Sequence, residues 1–182
     1  GFVSALDYSN PSFDPHGAFT KFKTHPYIAE LLEGGKMISY GAKTVSEGGY
    51  WSMPKLYADG VVLVGESGGF LNISRLKGIH LSMKSGMLAA EAIFEALLKN
   101  DFSSQSLKRY DDLFRASWAY KEMWDARNWR QNFTGSFYSG MMKAGLQIYL
   151  TGGGTKSRVP LHEDYKHMKK LSATGAAIEK IK

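Results

Sequence analysis

The chain contains no cysteine among its 182 residues. Disulfides, thiolate catalysis and cysteine-ligated metals or iron–sulfur clusters are therefore excluded for these residues. There is also no apolar run of about 18 residues, the length expected of a transmembrane helix. The five histidines lack the spacing of metal ligands, and we find no Ser–His–Asp arrangement or carboxylate pair. We therefore assign no catalytic side chain and no metal ligand from the sequence.

Composition limits the class of protein and its partners. With 43% hydrophobic and 13% aromatic residues, the chain is long and apolar enough for a globular domain with a sizeable core. Its net charge of +6 favours an acidic partner, an anionic membrane surface or a nucleic acid. The aromatic–basic repeats of nucleic-acid modules are missing, which argues against the last. Because the chain starts without Met inside a predicted strand, we expect Gly1 to be a processing point, a cloning boundary or a fragment edge.

Residues 59–91 form the most informative stretch. Residues 61–64 are valine and leucine only, which predicts a buried strand, and residues 79–98 have helical apolar periodicity. Between them lies a loop with four glycines, at 65, 68, 69 and 78. Glycines allow a ligand close to the backbone, and free N–H groups at a helix start attract electron-rich oxygens. The stretch is consistent with a flavin platform, and an ordinary strand-to-helix turn remains an equal alternative.

The other elements are predicted from local signals. Pro26 and Gly17 divide residues 14–32 into one or two short helices, and the Gly34-Gly35 pair resembles a helix C-cap. Ser103 or Ser104 is a plausible N-cap for a helical, aromatic region extending from residue 105 to about 132. Alternating or β-rich segments predict three further strands, at residues 2–8, 37–45 and 50–56.

Residues 133–150 are apolar and aromatic, with Lys143 as their only charged residue. A helix of this length would measure about 27 Å, which is marginal for crossing a membrane. An in-plane, monotopic helix fits better, with aromatic residues at the interface and basic residues at the head groups. A core helix of a larger body is the alternative. Residues 155–182 are basic and polar and predict an extended tail.

Three segments carry a resemblance to a known family: LLEGGKMISYGAKTVSEGG (31–49), MPKL (53–56) and GVVLVGESGGFLNISRLKGIHLSMKSGMLAAEAIF (60–94). Together with GFVSALDYSNP, KTHPYIAELLEGG and SWAYKEMWDARN, they resemble the electron-transfer flavoprotein–ubiquinone oxidoreductase family over residues 1–154. The resemblance implies an α+β fold. This fold would comprise part of a glutathione-reductase-type FAD domain, an inserted quinone-binding sheet and helix region, and helices that include one in-plane membrane helix.

The resemblance also implies boundaries and site residues. It assigns residues 1–58 to a ubiquinone-binding domain, 59–101 to the C-terminal half of the FAD domain, and 102–154 to a helical region with its membrane helix at 133–150. Residues 155–182 would remain a tail. Gly34 and Gly35 match the glycine pair at the ubiquinone head group. The second FAD segment is matched by Gly65, Glu66, Gly69, Asn72, Gly78, Ile79 and His80.

Two departures from the family pattern limit what this chain could do alone. Glu66 stands where many relatives have aspartate, and the additional methylene could alter the contact with the ribityl chain. The GxGxxG fingerprint of FAD binding and the four cysteines of the 4Fe–4S cluster are not in this sequence. The resemblance therefore implies that a separate chain supplies the FAD fingerprint and the iron–sulfur domain.

The function implied is part of a membrane-bound flavoenzyme. It would pass electrons from reduced electron-transfer flavoprotein through FAD to ubiquinone, at the matrix face of the mitochondrial inner membrane or at the bacterial cytoplasmic membrane. Membrane lipid, electron-transfer flavoprotein and a larger respiratory complex are the implied partners. The alternative is a non-catalytic accessory or structural subunit of a respiratory complex that retains the fold. Geranylgeranyl-reductase-like and aromatic-hydroxylase-like flavoproteins share the general pattern but are not expected to share segments such as LLEGGK.

Overall fold

The computed structural model describes residues 1–133, 136–151, 154–161 and 163–170. The chain divides into two compact units. The first comprises Gly1–Ala42 with Leu161–Lys182, and the second is Lys43–Pro160. Residues 134–135, which belong to the predicted membrane segment, and residues 162 and 171–182 of the predicted tail lie outside the described residues.

Two short α-helices, α1 (Pro15–Lys23) and α2 (Pro26–Leu32), and one 3-10 helix, Asp164–Lys166, form the regular structure described in the first unit. Each α-helix begins at a proline, whose fixed φ and missing N–H suit the first helical position. The Asp14 side chain caps α1 by accepting a hydrogen bond from the His16 N–H at 2.9 Å. The prediction of short helices within residues 14–32 is confirmed.

The strands predicted at residues 2–8 and 37–45 are wrong, since neither segment has strand structure. A strand needs a neighbouring strand to satisfy its N–H and C=O groups, and the described residues provide none for either segment. Met37 is 74% exposed and Ile38 is 97% exposed. The first unit has no buried residue in its described part, so these apolar side chains are not packed into a core.

A small hairpin opens the central stretch of the second unit. Strands β1 (Tyr57–Ala58) and β2 (Val61–Val62) pair antiparallel, with Tyr57 opposite Val62. Asp59 and Gly60 form the turn, and the φ of Gly60 is 72°, as expected for an Asp-Gly hairpin. The predicted strand at 61–64 is therefore shorter than expected. It is also not buried, because it has a single partner strand and Val61 is 49% exposed.

Residues 50–56 were also predicted to form a strand, and this prediction is wrong. Tyr50–Ser52 forms a 3-10 helix instead. The rings of Tyr50 and Trp51 both pack edge-on against Trp124, at centroid distances of 5.0 and 5.8 Å. Adjacent residues of a strand point to opposite faces and could not both contact the same ring in this way.

Three helices build the core of the second unit: α3 (Ile79–Lys99), α4 (Ser104–Arg115) and α5 (Trp118–Asp125). The helix predicted at 79–98 and the N-cap at Ser103 are confirmed. The helical region predicted from residue 105 is interrupted at Ala116–Ser117 and ends in a 3-10 helix, Arg130–Phe133. The core contains Leu56, Phe70, Leu81, Leu88, Ala89, Ala92, Tyr110, Phe114, Ala119 and Met123.

Tyr110 connects this core to the end of the hairpin. Its hydroxyl donates a hydrogen bond to the Leu63 carbonyl oxygen at 3.0 Å. Burial raises the pKa of Tyr110 to about 12, so the hydroxyl keeps its proton and remains a donor at neutral pH.

Helix α6 (Phe137–Thr151) follows within the same unit. Gly140, Ala144 and Gln147 are buried among the helix residues whose side chains are described, whereas most of the large apolar side chains there are exposed. The exposed ones are Phe137, Tyr138, Met141, Met142, Leu146, Tyr149 and Leu150. Among the described residues, no helix has the length and apolar character needed to cross a membrane.

Two side chains just after the end of α5 bind the segment that follows α6. Arg127 is 4% exposed and donates hydrogen bonds to the carbonyl oxygens of Gly154 and Thr155, at 2.7 and 3.0 Å. Asn128 donates to the carbonyl oxygens of Thr155 and Ser157 and accepts from the Val159 N–H. Residues 154–159 therefore have a fixed position although they form neither helix nor strand.

Candidate cofactor site

The glycine-rich loop between β2 and α3 has two glycines in a left-handed conformation. Gly65 has a φ of 61° and starts a 3-10 helix that ends at Gly68. Gly69 follows with a φ of 79°, and its N–H donates to the Glu66 carbonyl oxygen at 2.9 Å. Side chains rarely tolerate this backbone region, so the loop conformation depends on glycine at both positions.

The loop ends at the start of α3, where Gly78 is the N-cap residue. A Cβ atom at Gly78 would lie 3.0 Å from the Phe70 carbonyl oxygen and 3.1 Å from Leu71 Cδ1, which leaves little space for a side chain. No side chain caps this end of the helix, and Ile79 is 82% exposed. The first N–H groups of α3 have no intrahelical acceptor, so they present donors at a solvent-facing helix end.

The start of the loop is attached to the same helix. The Gly65 N–H donates to Ser85 Oγ at 2.9 Å, and this hydroxyl donates to the Ser82 carbonyl oxygen at 2.7 Å. A Cβ atom on Gly65 would lie 3.7 Å from the Ser82 side chain. Gly65 therefore lies beside the first two turns of α3, close to the helix end that carries the exposed donors.

A polar cluster joins the other part of the loop to α3. Glu122 Oε1 accepts hydrogen bonds from Asn72 Nδ2 at 2.7 Å and from His80 Nε2 at 2.9 Å. Asn72 is 3% exposed, and its main chain pairs with Lys77. Burial raises the pKa of Glu122, but the hydrogen bonds from Asn72 and His80 outweigh that effect and leave the pKa below its ordinary value.

Glu66 forms an ion pair with Lys43, at 2.7 Å between Oε2 and Nζ. The Lys43 side chain is 76% exposed, so the pair is solvent-screened and contributes little to stability. A ligand hydroxyl approaching Glu66 would share this carboxylate with Lys43. No three histidine or acidic side chains are grouped to hold a metal ion in the part of the chain that is described.

In the first unit, Gly34 and Gly35 follow the end of α2. Gly34 has a φ of 70°, and a Cβ atom there would meet no atom within 4 Å. The Gly35 N–H donates to the Leu32 carbonyl oxygen at 3.0 Å. The C-cap residue of α2 is Glu33, so the C-cap predicted at Gly34-Gly35 is wrong by one residue, and the pair forms the turn that follows the cap. The space beside Gly34 is open.

Sequence reasoning missed two residues that contact the predicted site, Glu122 and Lys43. Glu122 is one of two acidic residues in the aromatic segment 117–128, one helical turn after Trp118. The available signal was a carboxylate next to the apolar residues Ala119 and Met123 of a predicted helix. The structure shows that both of these neighbours are buried. Lys43 lies in a segment without helix or strand, and we find no sequence signal for its pairing with Glu66.

Comparison with known proteins gives one matching family model and several similar full-length proteins. Residues 1–45 match the family model described as ETF-QO, ubiquinone-binding. The mitochondrial electron transfer flavoprotein-ubiquinone oxidoreductase of Caenorhabditis elegans is 46% identical over 158 residues, which cover 85% of this chain. The human protein of the same name is 42% identical over 159 residues, or 84% of the chain, and that of rice is 40% identical over 167, or 90%.

The chain is homologous to a segment of the electron transfer flavoprotein-ubiquinone oxidoreductases. It spans about a quarter of the length of these relatives, 26% for the nematode and human proteins and 28% for the rice protein. The resemblance seen in the sequence is thereby confirmed. The roles of individual site residues remain predictions.

Two glycines of the second unit, Gly69 in the loop and Gly86 in α3, test whether the left-handed loop conformation requires glycine. Gly69→Ala should destabilise the chain by about 1–2 kcal/mol, because alanine must adopt the left-handed conformation. Gly86→Ala is the matched control. Gly86 lies inside α3 with no atom within 4 Å of a Cβ, so alanine should stabilise the chain by about 0.5–1 kcal/mol. Denaturant unfolding of both variants measures the difference, and shifts of the same sign would contradict the argument.

Proposed function

We propose that the chain forms part of a membrane-bound flavoenzyme that passes electrons from reduced electron-transfer flavoprotein through FAD to ubiquinone. The observation that carries the proposal is the uncapped, solvent-facing start of α3 beside a loop of left-handed glycines. The proposal is also supported by the name of the relatives, which specifies both the electron-transfer flavoprotein and ubiquinone. In this proposal the fold is part of a glutathione-reductase-type FAD domain together with a quinone-binding region.

The residues of the loop fit an electron-rich, flat ligand. Gly65 and Gly69 have no side chains, and the N–H groups of Ile79 and His80 lie in the first turn of α3. Donors at a helix start stabilise negative charge, which is the charge that a reduced flavin carries near its N1 and O2 atoms. FAD, when bound, supplies the electron-accepting chemistry. The role of this chain is to bind the flavin, orient it and influence its reduction potential.

For ubiquinone we propose a site at Gly34 and Gly35, which lie within the segment matched by the ubiquinone-binding model. The open space beside Gly34 would allow a quinone ring to approach the backbone closely. A quinone oxygen would have to compete with the Leu32 carbonyl oxygen for the Gly35 N–H. Of the two glycines, Gly34 is therefore the better-supported contact.

The proposed membrane contact is helix α6. Its exposed face combines aromatic rings with Met141, Met142 and Leu146, and Lys143 is its single charged side chain. An apolar helix surface flanked by basic residues is the pattern of a helix lying in the plane of a membrane interface. We place this interface at the matrix face of the mitochondrial inner membrane, following the mitochondrial names of the relatives.

The flavin absorbance spectrum of the purified native assembly tests the proposal. We expect bound FAD that is reduced by reduced electron-transfer flavoprotein and reoxidised by a soluble ubiquinone analogue. Native mass spectrometry of the same particle would identify the polypeptide that carries the GxGxxG fingerprint, so the prediction of a separate chain is tested at the same time. An assembly that contains no FAD would refute the proposal and favour the accessory-subunit alternative.

A further inference from the structure

Glu122 contacts two residues of the loop–helix unit that lie far before it in the sequence. Its Oε1 accepts from Asn72, 50 residues earlier, and from His80, 42 residues earlier. Asn72 belongs to the loop, and His80 is the second residue of α3. A single carboxylate oxygen on α5 therefore connects the loop to the first turn of the helix.

Both donors are held in place by further contacts. Asn72 Oδ1 accepts hydrogen bonds from the Ser74 N–H at 3.1 Å and from the Ser74 hydroxyl at 2.7 Å, which fixes the orientation of the amide. The His80 ring stacks on Trp118, with a centroid distance of 5.9 Å and an interplanar angle of 5°. Trp118 and Glu122 are one turn apart on α5, so the same helix face contacts His80 twice.

The carboxylate is suited to this double contact. An ionised carboxylate only accepts hydrogen bonds, and its bonds are stronger than those of a neutral acceptor. The net lowering of the Glu122 pKa keeps the group ionised at neutral pH. Since Glu122 accepts at Oε1, the His80 Nε2 atom carries a proton.

We propose that Glu122 is a positioning residue for the FAD site, an inference that rests on the proposed function above. It holds the Asn72 end of the loop against the first turn of α3. In doing so it sets the direction of the N–H groups of Ile79 and His80 relative to the glycines that face the ligand. Glu122 itself acts through Asn72 and His80 and needs no contact with the flavin.

The test uses the flavin-loaded native assembly with Glu122→Ala and Glu122→Gln. Glu122→Ala should weaken FAD binding roughly ten-fold and shift the reduction potential of the flavin, because the buried Asn72 amide and the partly exposed His80 ring lose their charged acceptor. Glu122→Gln should have an intermediate effect, since the amide oxygen still accepts but is uncharged. Glu95→Ala is the matched control. It removes an exposed ion pair with Arg109 that connects α3 to α4, and should leave both values unchanged.

The FAD dissociation constant, the reduction potential and the melting temperature are measured for each variant. If Glu122→Ala lowers only the melting temperature and leaves FAD binding and potential as in the unaltered assembly, Glu122 is merely structural and the inference fails alone. If the unaltered assembly itself binds no FAD, the proposed function fails and the inference fails with it. Weaker binding with a shifted potential in the Glu122 variants, and not in Glu95→Ala, supports the inference.

Discussion

Replacing Met142 and Leu146 with glutamate should release the assembly from phospholipid vesicles. Both side chains lie on one face of α6, one turn apart, and are 69% and 52% exposed. If that face inserts into a membrane interface, each substitution removes at least about 1.5 kcal/mol of apolar burial. The double variant should therefore bind vesicles roughly 100-fold more weakly in a co-sedimentation assay.

The control must separate lost apolar contact from changed charge. The double variant lowers the net charge by two, and so does Gln105→Glu combined with Lys108→Gln on the exposed side of α4. This control should retain vesicle binding apart from a modest, salt-dependent loss. Equal binding of all three proteins at the same salt concentration would show that α6 is not the membrane contact, and its apolar face would then have another partner.

Phe70→Ala should have the largest effect on stability in the second unit. The ring is 1% exposed and packs edge-on against Phe114 at a centroid distance of 5.1 Å. Its main chain also shapes the candidate site, because its N–H donates to Gly65 and its carbonyl oxygen lies next to Gly78. Loss of a buried phenylalanine costs about 3–5 kcal/mol, and we expect a cost in this range with loss of the loop conformation.

Phe94→Ala makes the same chemical change on the exposed side of α3, where the side chain is 62% exposed. Its cost should be about 0.5 kcal/mol or less. Chemical denaturation of the full chain gives both free energies of unfolding. Similar costs for the two variants would contradict the assignment of Phe70 to the core.

Helices were predictable from the sequence because their signals are local. Pro15 and Pro26 start α1 and α2, and Ser103 caps α4 as its side chain and position suggest. The strands at residues 2–8 and 37–45 were not predictable in this way. Whether a β-rich segment forms a strand depends on a partner elsewhere in space, and the apolar pattern does not contain that information.

In the candidate site, too, the features with local signals were predictable and those that depend on distant contacts were not. The four glycines predicted a loop between strand and helix, and two of them, Gly65 and Gly69, have a positive φ. The position of Gly78 at the start of α3 also followed from the change of periodicity. Glu122 was missed because its contacts are 42 and 50 residues away in the chain. Only the packing of α5 brings its carboxylate to Asn72 and His80.

The contacts of Arg127 and Asn128 with residues 154–159 have a consequence for sequence variation. Apart from the Thr155 hydroxyl, Arg127 and Asn128 bond to main-chain atoms in that segment, and other amino acids provide the same carbonyl oxygens. Substitutions at Lys156 or Arg158 should therefore leave the path of the segment unchanged. Arg127 and Asn128 have no such freedom, since no other side chain offers the guanidinium fork of donors and glutamine would place the amide one methylene further from the main chain. The constraint on the segment is thus encoded some 27 residues before it.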